Sequence, residues 1–225
     1  MTLSFFFTLC TSDTLTGMTE LSTIERARSY RNTYIFMLLS SLASLGASLV
    51  LSVDAIAIAK NAATKLSCDV NAVVSCGKVA RSWQSNLLGF PNSFLGLICE
   101  PVVISVAVAG LGLVMFPKWF LRTALIVYGC GLAFAFWLLS QSFFVIKAFC
   151  PWCLIVTVST VTVFSTMLRI NLRENTFNRS PEKQEKVINF LDRGWDHVIV
   201  AAVYAFLLIA IFIKYGKYFL PTIGG

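Results

Sequence analysis

The sequence predicts an all-α polytopic membrane protein. Of its 225 residues, 57% are hydrophobic and 13% are charged, whereas soluble domains carry about 25% charged residues. Five continuous apolar runs reach or approach the roughly 20 residues that a helix needs to cross a bilayer: 33–53, 94–116, 123–144, 149–168 and the shorter 198–213. Because apolar and polar residues do not alternate within these runs, we expect helices rather than barrel strands. The composition excludes a soluble globular enzyme, a disordered chain and a small disulfide scaffold.

The basic residues predict which helix ends face the cytoplasm, where lysine and arginine concentrate in membrane proteins. If the N-terminus is cytoplasmic, eleven of the 18 basic residues lie inside and seven lie outside. The inside set is Arg26, Arg28, Arg31, Lys118, Arg122, Arg169, Arg173, Arg179, Lys183, Lys186 and Arg193. We therefore expect a cytoplasmic N-terminus and an outer C-terminus. The net charge of +7 follows from this distribution and requires no nucleic-acid partner.

The same runs divide the chain into four segments. Residues 1–32 form a cytoplasmic N-terminal segment, and residues 33–170 form a four-helix bundle with an outer loop at 54–93. Residues 171–196 form a polar cytoplasmic linker, and residues 197–225 form a fifth transmembrane helix with an outer tail. The apolar stretch 1–10 is too short to span a bilayer and lacks the features of a signal peptide. Translation that begins at Met18 is an alternative reading of this end.

The cysteines are the residues most expected to carry chemistry. The chain has seven of them and a single histidine, which argues against a histidine-rich metal site or a hydrolase triad. Cys150 and Cys153 frame a Cys-Pro-Trp-Cys motif at the outer start of the fourth span, and Cys68 and Cys76 lie in the outer loop, so all four share an oxidising compartment. Unpaired N–H groups at a helix start stabilise a thiolate on the first cysteine, and Pro151 suits the first turn.

The outer loop predicts a neighbour for this motif. Cys76, Ala80, Trp83 and Leu87 are spaced by 4, 3 and 4 residues, the period of a short amphipathic helix that lies on the bilayer surface. Such a helix carries Cys76 toward Cys150, and two adjacent dithiols form a relay for two electrons by thiol–disulfide exchange. Two static disulfides that staple the loop are the structural alternative. A zinc site is weaker because thiolates in an oxidising compartment tend to oxidise, so no metal is predicted.

Three groups of residues carry a resemblance to a known family. They are Cys68-Asp69 with Val74-Ser75-Cys76-Gly77 and Ser82, then Leu88-Gly89-Phe90-Pro91-Asn92-Ser93-Phe94-Leu95-Gly96, and finally Cys150-Pro151-Trp152-Cys153. In order and spacing they resemble the vitamin K epoxide reductase family, in particular its stand-alone bacterial members, over residues 30–170. The fifth span is similar to the extra helix of actinobacterial members.

The resemblance implies a four-helix bundle around a quinone, capped by the outer loop and its short horizontal helix. It also implies roles for the four outer cysteines, which are the predicted catalytic residues. Cys153 faces the quinone, and Cys150 exchanges with Cys76. Cys68 exchanges with a separate thioredoxin-like oxidant of the cell envelope.

Three more residues are predicted to bind the quinone. The resemblance implies that Asn92 hydrogen-bonds a quinone carbonyl. Ser82 matches a family serine on the lid, the short horizontal helix of the outer loop that caps the bundle. The alternative for Asn92 is a helix N-cap at the second span. Glu100 lies about two turns inside that span, where ionisable residues are functional by default. It could donate a proton to the reduced quinone, or sit protonated against a polar neighbour such as Gln141.

The predicted function is that of a membrane thiol–quinone oxidoreductase. It reoxidises a thioredoxin-like partner and passes two electrons to menaquinone or ubiquinone, which supports disulfide formation in the cell envelope. The expected location is the plasma membrane, in contact with lipid, with the cysteines extracytoplasmic. Thr157 stands where vertebrate members have a tyrosine, which favours this bacterial role. The alternatives are direct reduction of vitamin K or its epoxide, and a non-catalytic membrane protein with structural disulfides.

Overall fold

The computed structural model describes the backbone of residues 3–66, 68–69 and 73–219, and the side chains of those residues between 30 and 216. Its seven α-helices are α1 (Leu3–Lys60), α2 (Cys76–Ala80), α3 (Ser93–Leu111), α4 (Lys118–Gln141), α5 (Pro151–Arg173), α6 (Pro181–Asp192) and α7 (Trp195–Phe219). A 3₁₀ turn at Trp83–Asn86 follows α2, and a π turn at Ser142–Ile146 follows α4. The alternative start at Met18 falls in the part of the chain whose side chains are not described.

Five of these helices are long and apolar enough to cross a membrane. The spans are Tyr30–Lys60, Ser93–Leu111, Lys118–Ile146, Pro151–Arg173 and Trp195–Gly216. Each coincides with one of the apolar runs, so the predicted fold class, an all-α multi-pass membrane protein, is confirmed. The first and fifth spans are longer than their apolar runs because helix geometry continues through the flanking polar residues.

The first four spanning helices form the bundle. α1 packs along α3 and α5, and α4 packs on α5. The buried core between them consists of Tyr34, Met37, Val103, Ala107, Leu121, Leu125, Val163, Met167 and Ile170. Because lipid tails are as apolar as these side chains, the helices are held together by close packing and interhelical hydrogen bonds rather than by the hydrophobic effect.

Small residues bring α1 and α3 close together. Four serines recur every three or four residues along α1 and are all buried: Ser41, Ser44, Ser48 and Ser52. A Cβ added to Gly96 of α3 would clash with the Ser48 side chain, so any larger residue there requires the helices or Ser48 to shift. Ser52 Oγ donates a hydrogen bond of 2.9 Å to Ser93 Oγ. This stripe of serines sets the α1–α3 spacing and supplies hydroxyl groups inside the bundle.

The segment 171–196, predicted as a polar linker, is largely helical. α5 continues into it, and α6 occupies its middle. Arg169 forms an ion pair with Asp196, and Arg173 forms one of 2.6 Å with Asp192. These pairs hold α6 and the start of α7 against the end of α5, a tertiary arrangement that a polar composition does not reveal.

The fifth spanning helix, α7, packs on the outside of the bundle. The hydroxyl of Tyr204 lies 2.5 Å from that of Thr162 on α5. Near the other end of α7, Tyr215 packs against Phe143 and Phe149, with ring centroids 5.5 Å and 6.0 Å away. α7 therefore buttresses the segment that leads into the Cys-Pro-Trp-Cys motif.

The outer loop contains two short helical pieces rather than the single amphipathic helix predicted from Cys76 to Leu87. α2 ends at Ala80, and the 3₁₀ turn begins at Trp83. The break has a local cause: Ser82 adopts an extended backbone conformation, and its hydroxyl donates to Val79 O at 2.6 Å. Cys76 is consequently 1% exposed whereas Trp83 is 64% exposed, so the two do not share a buried face.

Candidate redox site

A single carboxylate shapes the loop that holds the first cysteine pair. Asp69 Oδ1 accepts hydrogen bonds from Ser75 Oγ at 2.7 Å and from the Gly77 N–H at 2.9 Å, while Oδ2 accepts from the Leu66 N–H at 3.1 Å. Burial raises the pKa of Asp69, but these hydrogen bonds outweigh it and hold the pKa below its usual value. A Cβ on Gly77 would lie 2.7 Å from Oδ2, so a side chain there would displace the carboxylate.

Backbone hydrogen bonds tie this loop to the start of α5. The Ser75 N–H donates to Phe149 O at 3.1 Å, and the Phe149 N–H donates to Val73 O at 2.7 Å. The two strand-like contacts flank the bridge between Val74 and Phe149. Ser75 and Phe149 directly precede Cys76 and Cys150 in the sequence, so the bridge aligns the two cysteines.

Three of the four predicted cysteines meet at this point. Cys68 and Cys76 form a disulfide. Cys150 is a free thiol whose Sγ lies 3.3 Å from Cys76 Sγ, within contact distance for thiol–disulfide exchange. Cys76 and Cys150 are 1% and 3% exposed, so their contact is shielded from solvent.

The helix start activates Cys150. It is the N-cap of α5, and its sulfur accepts the Cys153 N–H at 3.4 Å, while Pro151 occupies the first turn. The Cys153 thiol, which donates a hydrogen bond to Cys150, lowers the pKa of the Cys150 thiol; burial opposes this, and the N–H groups of Cys153 and Trp152 add to the lowering. Cys150 is therefore the thiol of the pair that ionises more readily.

A cavity of about 680 Å³ lies beneath the cysteines, inside the bundle. Its volume is in the range of ligand-binding pockets, and its walls are predominantly apolar. Cys76, Cys150 and Cys153 line it together with Asn92 and Glu100. An apolar cavity with thiols and a few polar groups in its wall suits a flat lipophilic ring that carries oxygen atoms.

Asn92 lies in the cavity wall with one polar atom unpaired. Its Nδ2 donates to Gln84 O at 2.6 Å, which ties α3 to the loop. Its Oδ1 is buried and has no hydrogen-bond partner within the part of the chain that the structure describes. Asn92 occupies the N-cap position of α3, as the alternative interpretation predicts, but its side chain makes no capping hydrogen bond.

Ser82 is not part of the cavity wall. Its hydroxyl is engaged with Val79 O and lies 3.3 Å from Ser85 Oγ. Ser85, three residues later, does line the cavity, and it also donates to Val79 O at 2.6 Å. Both serines thus shape the turn between the two helical pieces of the lid.

Glu100 lies deep in the cavity wall and is 4% exposed. Its Oε1 accepts hydrogen bonds from Ser44 Oγ at 2.7 Å and from the Tyr128 hydroxyl at 3.1 Å. Gln141, the neighbour that the sequence suggested, instead accepts a long hydrogen bond of 3.5 Å from Gln84. The partners of Glu100 therefore come from α1 and α4.

The remaining thiols with described side chains lie apart from the exchange site. Cys99 and Cys130 are free and exposed. Cys99 also lines the cavity, beside Glu100. Among the residues that the structure describes, no group of three His, Cys, Asp or Glu side chains is placed to hold a metal ion.

Sequence reasoning assigned no role to Asp69, Gln84, Ser44 and Tyr128. Asp69 follows Cys68 directly, and a carboxylate next to a loop cysteine could have indicated that Asp69 shapes the loop. Ser44 and Tyr128 lie in apolar spans, where a hydroxyl group is expected to seek a polar partner. Which partner each finds depends on helix packing, which no local pattern specifies.

Fold and site together define a multi-pass membrane oxidoreductase, with two cysteine pairs in contact above an apolar cavity. The sequence model of the vitamin K epoxide reductase family matches residues 35–168, more than half of the chain, and the chain belongs to this family. The match covers both cysteine pairs and the four helices of the bundle, and it ends before α6. No curated protein matches the chain. The family carries out thiol and quinone oxidoreduction in membranes, so the predicted family and kind of activity are confirmed.

Proposed function

We propose that the protein oxidises a thioredoxin-like envelope partner and passes the two electrons to a quinone. The observation that carries this proposal is the 3.3 Å contact between Cys150 and Cys76 at the top of a cavity lined by Cys153. The contact joins the Cys68–Cys76 disulfide of the outer loop to the Cys150–Cys153 dithiol beside the cavity.

In the first step, a thiolate of the partner attacks Cys68, breaks its bond to Cys76 and forms a mixed disulfide. The second partner thiol resolves it, so the partner gains a disulfide and the loop pair becomes a dithiol. Cys68 is 9% exposed against 1% for Cys76. This difference supports Cys68 as the sulfur that the partner reaches.

In the second step, Cys76 attacks Cys150 of a Cys150–Cys153 disulfide and releases Cys153 as a thiolate. Cys68 then attacks Cys76 and releases Cys150. The loop disulfide reforms, and two electrons have moved to the inner pair. The described arrangement, with a loop disulfide and inner thiols, corresponds to the end of this step.

In the third step, the inner dithiol closes to a disulfide and gives two electrons to the ring bound in the cavity. Cys153 lines the cavity, which supports it as the sulfur that faces the ring. The unpaired Oδ1 of Asn92 is available to accept a hydrogen bond from a reduced ring oxygen, while its amide is anchored on Gln84. The Thr157 hydroxyl donates to Cys153 O at 2.9 Å, so it is committed to the protein backbone.

We also propose that the N-terminus is cytoplasmic and that the site faces the outside of the plasma membrane. Lys118 donates to Asn175 O, which places the α3–α4 connection beside the α5–α6 connection at one end of the bundle. Arg169 and Arg173 lie at this end too. The cysteine pairs lie at the opposite end, consistent with a basic cytoplasmic face.

The test is quinone-dependent oxidation of a reduced thioredoxin-like protein by the purified enzyme. Cys150→Ser and Cys153→Ser should each abolish turnover, since each removes a sulfur that the inner disulfide requires. The matched control is Cys130→Ser, which removes a free exposed thiol outside the cavity and should retain wild-type turnover. Turnover retained by either inner-pair variant would refute the proposal.

A further inference from the structure

We propose that Glu100 is the proton donor to the quinone oxygen that lies farther from the thiols. This inference rests on the proposed quinone reduction, and it assigns a catalytic role to a carboxyl group buried in the wall of the same cavity.

The first observation is the one-sided anchoring of the carboxyl group. Ser44 from α1 and Tyr128 from α4 both donate to the same oxygen, Oε1. The other oxygen, Oε2, is buried and has no hydrogen-bond partner among the described residues. Two hydroxyl donors fix Oε1 as an acceptor, so the proton of a neutral carboxyl group resides on Oε2.

The second observation is the location of that free oxygen. Glu100 is 4% exposed and lines the cavity that also contains the Cys153 side chain. Glu100 follows Asn92 by eight residues, about 12 Å along an α-helix, so the two side chains lie at different depths. A purely structural group at this position would have both oxygens satisfied, as buried polar groups generally are. An unpaired O–H in a cavity wall is instead available to a ligand.

Among the side chains that the structure describes, no cation interacts with Glu100. The titratable groups that interact with it are Tyr128, from α4, and Cys99, its neighbour on α3. α1 contributes the hydroxyl of Ser44, and Thr160 of α5 contacts Tyr128. The neutral network spans all four helices of the bundle and holds the carboxyl group in one orientation.

The proposed step balances as follows. The Cys150 thiolate and the Cys153 thiol form a disulfide, and each sulfur loses one electron to the ring. The two ring oxygens gain protons, one from the Cys153 thiol and one from Glu100 Oε2. The products are a hydroquinone, a Cys150–Cys153 disulfide and a Glu100 carboxylate. After the hydroquinone leaves, the carboxylate regains a proton from solvent, equivalent to the one that Cys150 released on ionising.

The decisive variant is Glu100→Gln, assayed with dithiothreitol as donor and a short-chain menaquinone as acceptor. Glutamine keeps the oxygen that Ser44 and Tyr128 contact but cannot give up a proton. General acids contribute about 100-fold or more to rate, so kcat should fall by about 100-fold with little change in KM. The matched control is Ser105→Ala, on the same helix but exposed and outside the cavity wall, which should leave kcat unchanged.

Two further readouts separate proton donation from a structural role. If Glu100 donates the proton, wild-type kcat should have an alkaline limb that is absent in Glu100→Gln. Glu100→Asp, which restores a carboxyl group, should recover part of the activity. Wild-type kcat and pH profile in Glu100→Gln would overturn the inference, and so would a loss that Glu100→Asp does not relieve. Absence of quinone reduction in the wild type would instead overturn the proposed function itself.

Discussion

The Asp69 carboxylate organises the outer loop, so removing it should uncouple the two cysteine pairs. Asp69→Ala deletes three hydrogen bonds, from Ser75, Gly77 and Leu66. Because Asp69 is only partly buried, we count about 1 kcal/mol for each bond, or about 3 kcal/mol in total. Since about 1.4 kcal/mol is a factor of ten, the docked loop should lose about 100-fold in population relative to undocked forms.

The assay compares two electron donors. With a reduced thioredoxin-like protein, which must pass electrons through the loop, Asp69→Ala should lower the rate of quinone reduction by up to about 100-fold. With dithiothreitol, which can reduce the inner pair directly, the rate should change little. Asp69→Asn is the graded control, since its oxygen can still accept from Ser75 and Gly77, and it should lose about fivefold. A wild-type rate for Asp69→Ala with the protein donor would refute this account of the loop.

Three other predictions concern the same site. Cys68→Ser should abolish oxidation of the protein partner but spare reduction by dithiothreitol, and equal loss with both donors would contradict the shuttle role. Asn92→Ala should weaken binding of the hydroquinone product by about fivefold to tenfold, as expected for one lost hydrogen bond, measured as its product-inhibition constant, and an unchanged constant would remove Asn92 from the binding site. Because hydrogen bonds hold the folded pKa of Asp69 below its unfolded value of about 3.9, loop docking should be fully stabilised above that pH. It should weaken as the pH falls through the folded pKa, which maleimide labelling of the loop thiols after mild reduction can follow.

The spans were predictable because membrane thickness imposes a physical length on any helix that crosses it. The start of α5 was predictable for a local reason too, since Cys150 and Pro151 suit the N-cap and the first turn, and the structure places them there. Both features depend on residues adjacent in sequence.

The lid and the partners of Glu100 were not predictable in this way. A period of 3 and 4 residues favoured one helix from Cys76 to Leu87, but the Ser82 hydroxyl bonds to a backbone carbonyl and ends the helix early. Gln141 was an equally plausible partner for Glu100 from sequence. The packing of α1 against α3 brings Ser44 to the carboxyl group instead, and such contacts are set by tertiary structure.

The central claim is that electrons cross between the pairs through Cys76 and Cys150. It is tested most directly in Cys153→Ser protein, where Cys150 can attack the Cys68–Cys76 disulfide but has no partner to resolve the product. After alkylation of free thiols and proteolysis, mass spectrometry should find a Cys76–Cys150 disulfide together with alkylated Cys68. Complete retention of the Cys68–Cys76 disulfide, with Cys150 alkylated, would contradict the claim.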